Sequence, residues 1–590
     1  MADIGTILEQ GIERHRSGDL SAAEALYRQV LETSPEHWDA MYLLGTSLLQ
    51  CSRFDECVTL LSRVVTARPD VPDAHNNLGV AYQALGQWEQ AAKAFQAALH
   101  VKPDYDQALF NLGALMEDRK LFADAEKCFR QAINQNPNDR QTRVSLGNVL
   151  KAQGKWEEAE ICYREVPAHG TQDLDLHINF AYVLARQEKL DEAATLYQEV
   201  LDTQPDYYQV HNSLSYVYER QGQLDAAVTS AKRALEIKPD FSEGYNNLGT
   251  AERSLHRFEN ACRSFEKALE PADDFPLAEF NLGTTKLLEG KFLEGWAGYE
   301  RRAETLDTPP RTFAQKRWDG KPVTGKTLLV YSDQGFGDAI QFARFLHEAQ
   351  QRSGAKLIFE CQSELKPLLE NHPAVDDLIL EGESLPNFDV QIPLTSLPAL
   401  FQIELDTIPA DVPYLTTPSS PRDELQSLLN EASPTQLKVG FVWQGNPQQA
   451  RDIIRSCSLE TFRPLFELEG IAPFSLQTGE AADQIESFRT QHTLIDLGSQ
   501  LQDFAETAAV IAKLDLVITV DTATAHLAGA LGAPVWTLLC HTPDWRWLLD
   551  RDDSPWYPSM RLFRQPKWGD WDSVIAKIAL ELKNLISEKM

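Results

Sequence analysis

Three short segments of this chain hold residue types that can act on phosphates or on an acidic proton. The first is Asp521-Thr522-Ala523-Thr524-Ala525-His526, set between the apolar run DLVITV and the helical stretch AHLAGALGA. A strand-to-helix change there puts Thr522 and Thr524 in or near a first helical turn, whose unpaired backbone N–H groups cradle an anion such as phosphate. Asp521 reads either as a ligand contact or as that helix's cap. His526 reads either as a hydrogen-bonding group for the same ligand or as a packed helix residue. The second segment is Trp443-Gln444-Gly445-Asn446-Pro447, after the run KVGFV, with Arg451 and Arg455 just beyond it. Gln444 and Asn446 offer polar contacts, and Arg455 can neutralise a phosphate; Arg451 is the weaker candidate, and a surface position is the default for either arginine. The third is Ser332-Asp333-Gln334-Gly335-Phe336-Gly337-Asp338, after TLLVY. Gly335 and Gly337 permit a tight turn and close ligand approach. The third glycine and the acidic partner of a dinucleotide fingerprint are missing. Asp338 is either a proton-accepting carboxylate or a helix N-cap.

The elements that must position these loops alternate. From Thr327 onward short apolar runs (TLLVY, KLIFE, DLIL, FDVQIPL, then KVGFVW, APFSLQ, TLIDL, DLVITV, PVWTLL) are separated by amphipathic stretches. Such alternation implies parallel sheets of the doubly wound kind, in two blocks. Ligands of such sheets bind beyond the carboxyl ends of the strands, where all three loops fall.

The first half has another rhythm. Stepping 34 residues from Gly11 reaches Gly45, Gly79, Gly113, Gly147, Ala181, Ser215, Gly249 and Gly283, all small. Twelve residues after each stands another residue that is usually small, and four further on, in most copies, a larger one such as Tyr27, Phe95, Phe129, Tyr163, Tyr197, Phe265 or Tyr299. Proline closes most units. This is a helix hairpin that can bury its apolar face only against neighbours, and its period and residue types are those of the tetratricopeptide repeat. Two residues before the small position stand Asn77, Asn111, Asn179, Asn247 and Asn281. On the first helix of each hairpin they would line a concave face, where carboxamides can hold a peptide backbone without reading its sequence. This resembles the asparagine ladder of the O-linked N-acetylglucosamine transferase superhelix. Capping or packing within the hairpin is the other reading.

Composition narrows the partners. With 55 basic and 87 acidic side chains the formal charge is -32, which disfavours nucleic acid and anionic membrane surfaces. The eight cysteines form no CxxC pair and no zinc-type cluster, as expected of reduced, packed thiols. Neither a signal peptide nor a membrane span is expected, so the chain reads as cytoplasmic. Asp550, Asp552 and Asp553 read as a solvated turn, and no metal site is expected. Five of the twelve tryptophans lie between Trp545 and Trp571 and are expected mainly to pack the repeats against the lobes, with a stacking platform as the alternative.

The second half, roughly 325–565, resembles the bacterial heptosyltransferase-related glycosyltransferases of GT-B architecture, through GDAI at Gly337 to Ile340 and VDTATAHLAGALGAPVW at Val520 to Trp536. With its repeats the chain is similar to repeat-fused glycosyltransferases that modify bacterial flagellins, and DQGFGDAIQFARFL and PDWRWLLDRDDSPWYPSMRLFRQ carry that likeness. The loop WQGNPQQARDIIRS departs from that pattern at Gln449 and Ala450, where phosphate or sugar contacts are usual. The resemblance implies an α-solenoid over 1–305, a linker or docking segment over 306–324, and two Rossmann-like GT-B lobes over 325–420 (acceptor side) and 421–590 (nucleotide-sugar side). It implies Asp338 as general base and a metal-independent transfer with no cofactor. The donor would be a nucleotide-sugar, with a CMP-linked nonulosonic acid one option beside ADP-, UDP- and GDP-sugars. The acceptor would be a Ser or Thr hydroxyl of a polypeptide such as flagellin. A saccharide acceptor, as in lipopolysaccharide synthesis, and a non-catalytic scaffold are the alternatives.

Overall fold

The computed structural model describes residues 3–166, 173–272, 274–305, 310–409, 411–417, 420–447, 449, 452–488 and 494–589. It divides into two compact units, Met1–Val217 and Tyr218–Met590. The repeat pattern runs on to about residue 305, so the last hairpins belong to the second unit.

In the first unit the hairpins run from Ile4–Arg16 with Leu20–Thr33 to Leu174–Arg186 with Leu190–Thr203. Each closes on the small position. A methyl group added at Gly79 would lie 2.5 Å from Phe95, at Gly113 2.7 Å from Phe129, and at Gly147 2.5 Å from Tyr163. The residue sixteen places on thus occupies the space that glycine leaves empty, and both helices bury that contact. The turn inside each hairpin shows a second 34-residue phase. Gly18, Ser52, Gly86, Lys120, Gly154 and Glu188 all have positive φ, as do Gly222, His256 and Gly290 in the second unit. A side chain in that conformation is strained by about 1–2 kcal/mol, partly offset because glycine loses more backbone entropy on folding. Lys120→Gly and Glu188→Gly are therefore expected to stabilise the chain by roughly 0.5–1 kcal/mol each in urea unfolding.

The second unit holds the remaining hairpins and two parallel sheets. In the first sheet β1 (Lys316–Arg317), β2 (Thr327–Tyr331), β3 (Lys356–Cys361), β4 (Asp377–Leu380) and β5 (Val390–Pro393) take the order β1-β5-β2-β3-β4. In the second, β6 (Leu437–Val442), β7 (Ile471–Ser475), β8 (Ile495–Asp496), β9 (Leu516–Val520), β10 (Val535–Leu539) and β11 (Met560–Arg564) take the order β11-β10-β9-β6-β7-β8. All pairings are parallel, and β9 and β10 are buried along their whole length, as strands covered on both faces must be. The winding reverses between β2 and β5 in one sheet and between β6 and β9 in the other. These are the switch points at which ligands bind. The three loops singled out from sequence leave β2, β6 and β9.

The segment 306–324 supplies the edge strand β1 and the buried Trp318; residues 306–309 lie outside the described set. The tryptophan-rich segment after β10 packs between the last hairpin and both lobes. Trp545 lies edge-on to Phe292, Trp296 and Tyr299, with ring centres 6.0, 5.4 and 5.5 Å away, and Trp556 is 6.3 Å from Phe292. The indole of Trp296 donates to the carbonyl of Ile403 at 2.8 Å. Arg344 fastens the lobes, donating to the carbonyls of Trp556 (2.9 Å) and Pro409 (3.1 Å) beneath the faces of Tyr414 and Tyr557. No helix among the described residues is long and apolar enough to cross a membrane.

Candidate active site

The loop after β2 opens the helix Phe336–Phe342, with Gly335 as its N-cap and Asp338 in its first turn. The Asp338 carboxylate does not cap this helix. It pairs with Arg546, a residue of the other lobe that sequence reasoning missed. The loop itself is tied down from two sides. Arg302, at the end of the ninth repeat, donates to Asp333 through Nη2 (2.7 Å) and Nε (3.0 Å) and to Ser396 Oγ (2.7 Å). Thr395, just after β5, donates its hydroxyl to the same carboxylate at 2.7 Å. Asp333 thus bridges the first switch point, and the repeat array holds the base of the loop that carries Asp338.

The loop after β9 opens the helix Ala523–Ala530. Its N-cap is Thr522, whose hydroxyl bonds that of Thr519 at 2.9 Å, so capping does not fall to Asp521. Ala525 and His526 direct their N–H groups to the Thr522 carbonyl, whereas the amides of Ala523 and Thr524 make no hydrogen bond among the described residues. Two first-turn amides left unbonded at a switch point form a geometry that can accept an anion. Across from them, a methyl group on Gly337 would lie 2.9 Å from His526 Cδ2 and 3.6 Å from Ala523 Cα. The two helix starts therefore meet, and only a glycine fits between them.

His526 is buried, with Nδ1 bonded to the Tyr557 hydroxyl at 2.9 Å and its ring stacked on Trp547, centres 5.2 Å apart. Burial, helped by Arg546, pushes its pKa down to about 3, so the ring is neutral at pH 7 before any ligand binds. Because the ring is held in place, Gly337→Ala must push the Phe336 helix away from the Ala523 helix. A misplacement of about 1 Å costs on the order of 10²-fold in rate. Gly337→Ala is expected to show that loss in kcat/KM with little change in melting temperature.

The loop after β6 completes the site. Gln477, buried and also missed, accepts from the amides of Trp443 (3.1 Å) and Gln444 (3.0 Å) and donates to the Gln444 carbonyl (3.1 Å). Asp452 accepts from Arg455 Nε (3.2 Å) and Ser456 Oγ (2.9 Å), and Ser456 receives the amide of Gly445 at 3.0 Å. This arrangement holds Arg455 against Gly445. Burial raises the pKa of Asp521, and of the charges around it Arg455 pulls hardest the other way, so Arg455 and the Ala523 helix share one neighbourhood. Asn446 and Gln449 are exposed, and Gln449 reaches Gly335, its Nε2 lying 3.5 Å from where a Cβ there would be. Ala450 and Arg451 lie outside the described residues. Asp553 pairs with Arg551 at 2.7 Å on the surface, and Asp550 and Asp552 flank it in the same turn.

Around Asp338 the electrostatics are set by burial and by four charged groups. Burial raises its pKa, Asp544 and Asp333 add to that, and Arg546 and Arg302 oppose it. Arg546 is itself held firmly protonated by Asp544 and Asp338 against its burial. No group of three or more His, Cys, Asp or Glu side chains that could hold a metal ion occurs among the described residues.

The asparagines sit at equivalent places in both units, and their carboxamides tie neighbouring repeats. Nδ2 of Asn77 donates to Thr46 Oγ1 (3.2 Å), that of Asn111 to Asn76 (2.9 Å) and that of Asn179 to Asn148 (3.1 Å). In the second unit Asn281, 8% exposed, donates to Asn246 at 2.9 Å, and Asn247 is half-buried and also partnered. These N–H groups serve the stacking of repeats, and the carboxamide oxygens of Asn111 and Asn179 accept from Gln107 Nε2 (3.3 Å) and Lys151 Nζ (2.7 Å), so the ladder expected from sequence is engaged within the array.

Comparison with known proteins agrees with this architecture. Tetratricopeptide-repeat models match residues 15–78, 72–105, 114–173, 178–240 and 242–271. The glycosyltransferase family 9 (heptosyltransferase) model matches residues 482–570, which include the Asp521–His526 loop and Arg546 but not Asp338. Protein FlbA of Caulobacter vibrioides is 26% identical over 292 residues, 45% of this chain and 48% of that protein, so the chain spans about half the length of that relative. Among solved structures, PilF of Pseudomonas aeruginosa is 18% identical, with 34% of this chain and 92% of that one covered at a TM-score of 0.32. A thermophilic repeat protein of Thermus thermophilus is 23% identical, with 31% and 100% covered at 0.26. The chain thus carries tetratricopeptide repeats followed by a segment similar to the family 9 (heptosyltransferase) glycosyltransferases.

Proposed function

We propose that the chain transfers a glycosyl group from a nucleotide-sugar to a hydroxyl of a polypeptide brought by the repeats. The observation that carries this reading is the meeting of two switch points, with Asp338 on one side and the free amides of Ala523 and Thr524 on the other. Asp338 takes the proton of the acceptor hydroxyl as its oxygen bonds the anomeric carbon. The bond from that carbon to the donor phosphate breaks, and its electron pair leaves with the phosphate. The two amides, the Thr524 hydroxyl and Arg455 receive the charge that develops there, without a bound metal. The Asp333–Arg302 pair keeps the base on its loop. The two lobes correspond to a GT-B arrangement, with the donor on the second sheet.

A polypeptide acceptor is favoured by the repeats; flagellin is the specific candidate, through sequence resemblance alone. The test is a thermal-unfolding screen with CMP-, UDP-, ADP- and GDP-sugars on the full chain. A donor present at 100 times its Kd stabilises by about 2.7 kcal/mol, which shows as a raised melting temperature. If none of the four classes moves the transition, the reading fails and a scaffold role replaces it. A donor that raises the transition is then tried with flagellin and with lipopolysaccharide core as acceptors.

A further inference from the structure

We infer that Arg546 is the positioning residue that keeps Asp338 ionised and aimed across the cleft, and that the last repeat shares in this through Tyr299. The inference rests on the proposed role of Asp338 as base.

The guanidinium is 10% exposed and its edges are occupied. Nε donates to Gln341 Oε1 at 2.6 Å, Nη1 to Asp544 Oδ1 at 2.7 Å, and Nη2 to Asp338 and to the Tyr299 hydroxyl, the latter at 3.4 Å. Gln341 follows Asp338 by three residues on the same short helix and is fully buried, so Arg546 grips two successive turns and fixes the rotation of the carboxylate. The rings of Trp545 and Phe342 lie 4.6 and 5.5 Å from the guanidinium carbon. A planar fork with several fixed donors fits this site, and an ammonium on a flexible stem does not.

The groups facing Asp338 come from every element packed on it. They are Arg546 and Asp544 from the tryptophan-rich segment, Asp333 from its own loop, and Arg302 and Tyr299 from the last repeat. His526, on the helix opposite, is neutral. Three carboxylates thus lie close together with Asp338 partly shielded from water, Arg302 is engaged by Asp333 and Glu300, and Arg546 is the cation in contact with Asp338. Remove Arg546 and burial beside Asp544 and Asp333 leaves Asp338 protonated, which is the wrong form for a base. Because Asp544 takes a share of the same guanidinium, the pair holds Asp338 ionised without wholly quenching it.

The test needs no substrate. Full-length Arg546→Gln, Arg546→Lys, Asp338→Asn and both double variants are melted from pH 5 to pH 8.5 by tryptophan fluorescence, which reports chiefly on the second unit because nine of the twelve tryptophans follow residue 217. A carboxyl whose folded pKa is raised adds stability when protonated and loses it as pH rises through that pKa. Arg546→Gln should therefore melt progressively lower than wild type from pH 5 to pH 8.5. Adding Asp338→Asn should return about 3 °C or more at pH 8 and flatten the curve. In the Arg546→Lys background, which keeps the charge and serves if the glutamine variant does not fold, Asp338→Asn should lower the melting temperature instead. Parallel curves, with Asp338→Asn having the same effect in both backgrounds, would overturn the inference and leave Arg546 a packing residue. If the melts behave as expected but Asp338→Asn keeps full turnover, the positioning stands and the base reading is what fails.

Discussion

Asp338→Asn is expected to lower kcat/KM for glycosyl transfer by about 10²–10⁴-fold, the range that one general base supplies. Donor binding should change little, because the amides of Ala523 and Thr524 and the Arg455 guanidinium are untouched. The carboxylate is 23% exposed, which leaves it reachable by an acceptor, and an asparagine keeps an oxygen for Arg546. The melting temperature at neutral pH should therefore fall only modestly. The acid limb of the wild-type rate should lie above that of an ordinary aspartate, since burial and the neighbouring carboxylates raise the Asp338 pKa. Activity is then lost as pH falls through that raised value. A flat rate from pH 4 to pH 8 would assign the proton to another group.

The second large effect concerns where the chain can be cut. A protein lacking residues 1–207, so that the helix Tyr208–Arg220 stays whole, is expected to fold and to bind its donor while losing transfer to polypeptide. One lacking residues 1–305 is expected not to fold. Phe292, Trp296 and Tyr299 are each no more than 4% exposed, and all belong to the same core as Trp545, Trp556 and both sheets. Aromatic side chains bury roughly 150–250 Å² each, so three of them represent about 10 kcal/mol or more at about 25 cal/mol per Å², as much as a whole domain's stability. Losing Arg302 as well strands Asp333 in a buried site, a further cost of about 3–5 kcal/mol. Deletion to residue 300 cannot separate a polypeptide acceptor from a saccharide one, because the loop that carries Asp338 would collapse in either case. The shorter deletion can, with circular dichroism confirming the fold and nucleotide release read with each acceptor.

Much of this architecture could be read along the chain because it repeats or alternates. The 34-residue spacing of glycines, and of aromatics sixteen places on, is a local code, and the structure shows the two in contact at Gly11, Gly79, Gly113, Gly147 and Gly249. Apolar runs separated by helical stretches were enough for parallel sheets, and loops following such runs were bound to lie at strand carboxyl ends. Three features were not legible. Arg546 sits 208 positions from Asp338 and meets it only through the folding of both lobes around the tryptophan-rich segment. The one sequence hint was an arginine two places from Asp544 in a run of tryptophans. Gln477 and Arg302 were invisible for the same reason, since a buried glutamine and a repeat-terminal arginine look like surface residues until their partners are known. The compact units part at residue 217 because the last hairpins swap their outer solvent for the lobes, a change that leaves the repeat spacing intact. The positive-φ phase from Gly18 to Gly290 was visible in principle but is masked by serine, lysine, glutamate and histidine at four of its nine places.

A structure of the full chain with its donor nucleotide bound, taken from whichever of CMP, UDP, ADP or GDP raises the melting temperature, addresses the phosphate cradle directly. Its phosphate oxygens should lie about 3 Å from the amides of Ala523 and Thr524, with the Arg455 guanidinium beside them and the Asp338 carboxylate facing the departing bond. A nucleotide seated elsewhere on the second sheet, with those two amides still bare, would contradict the assignment.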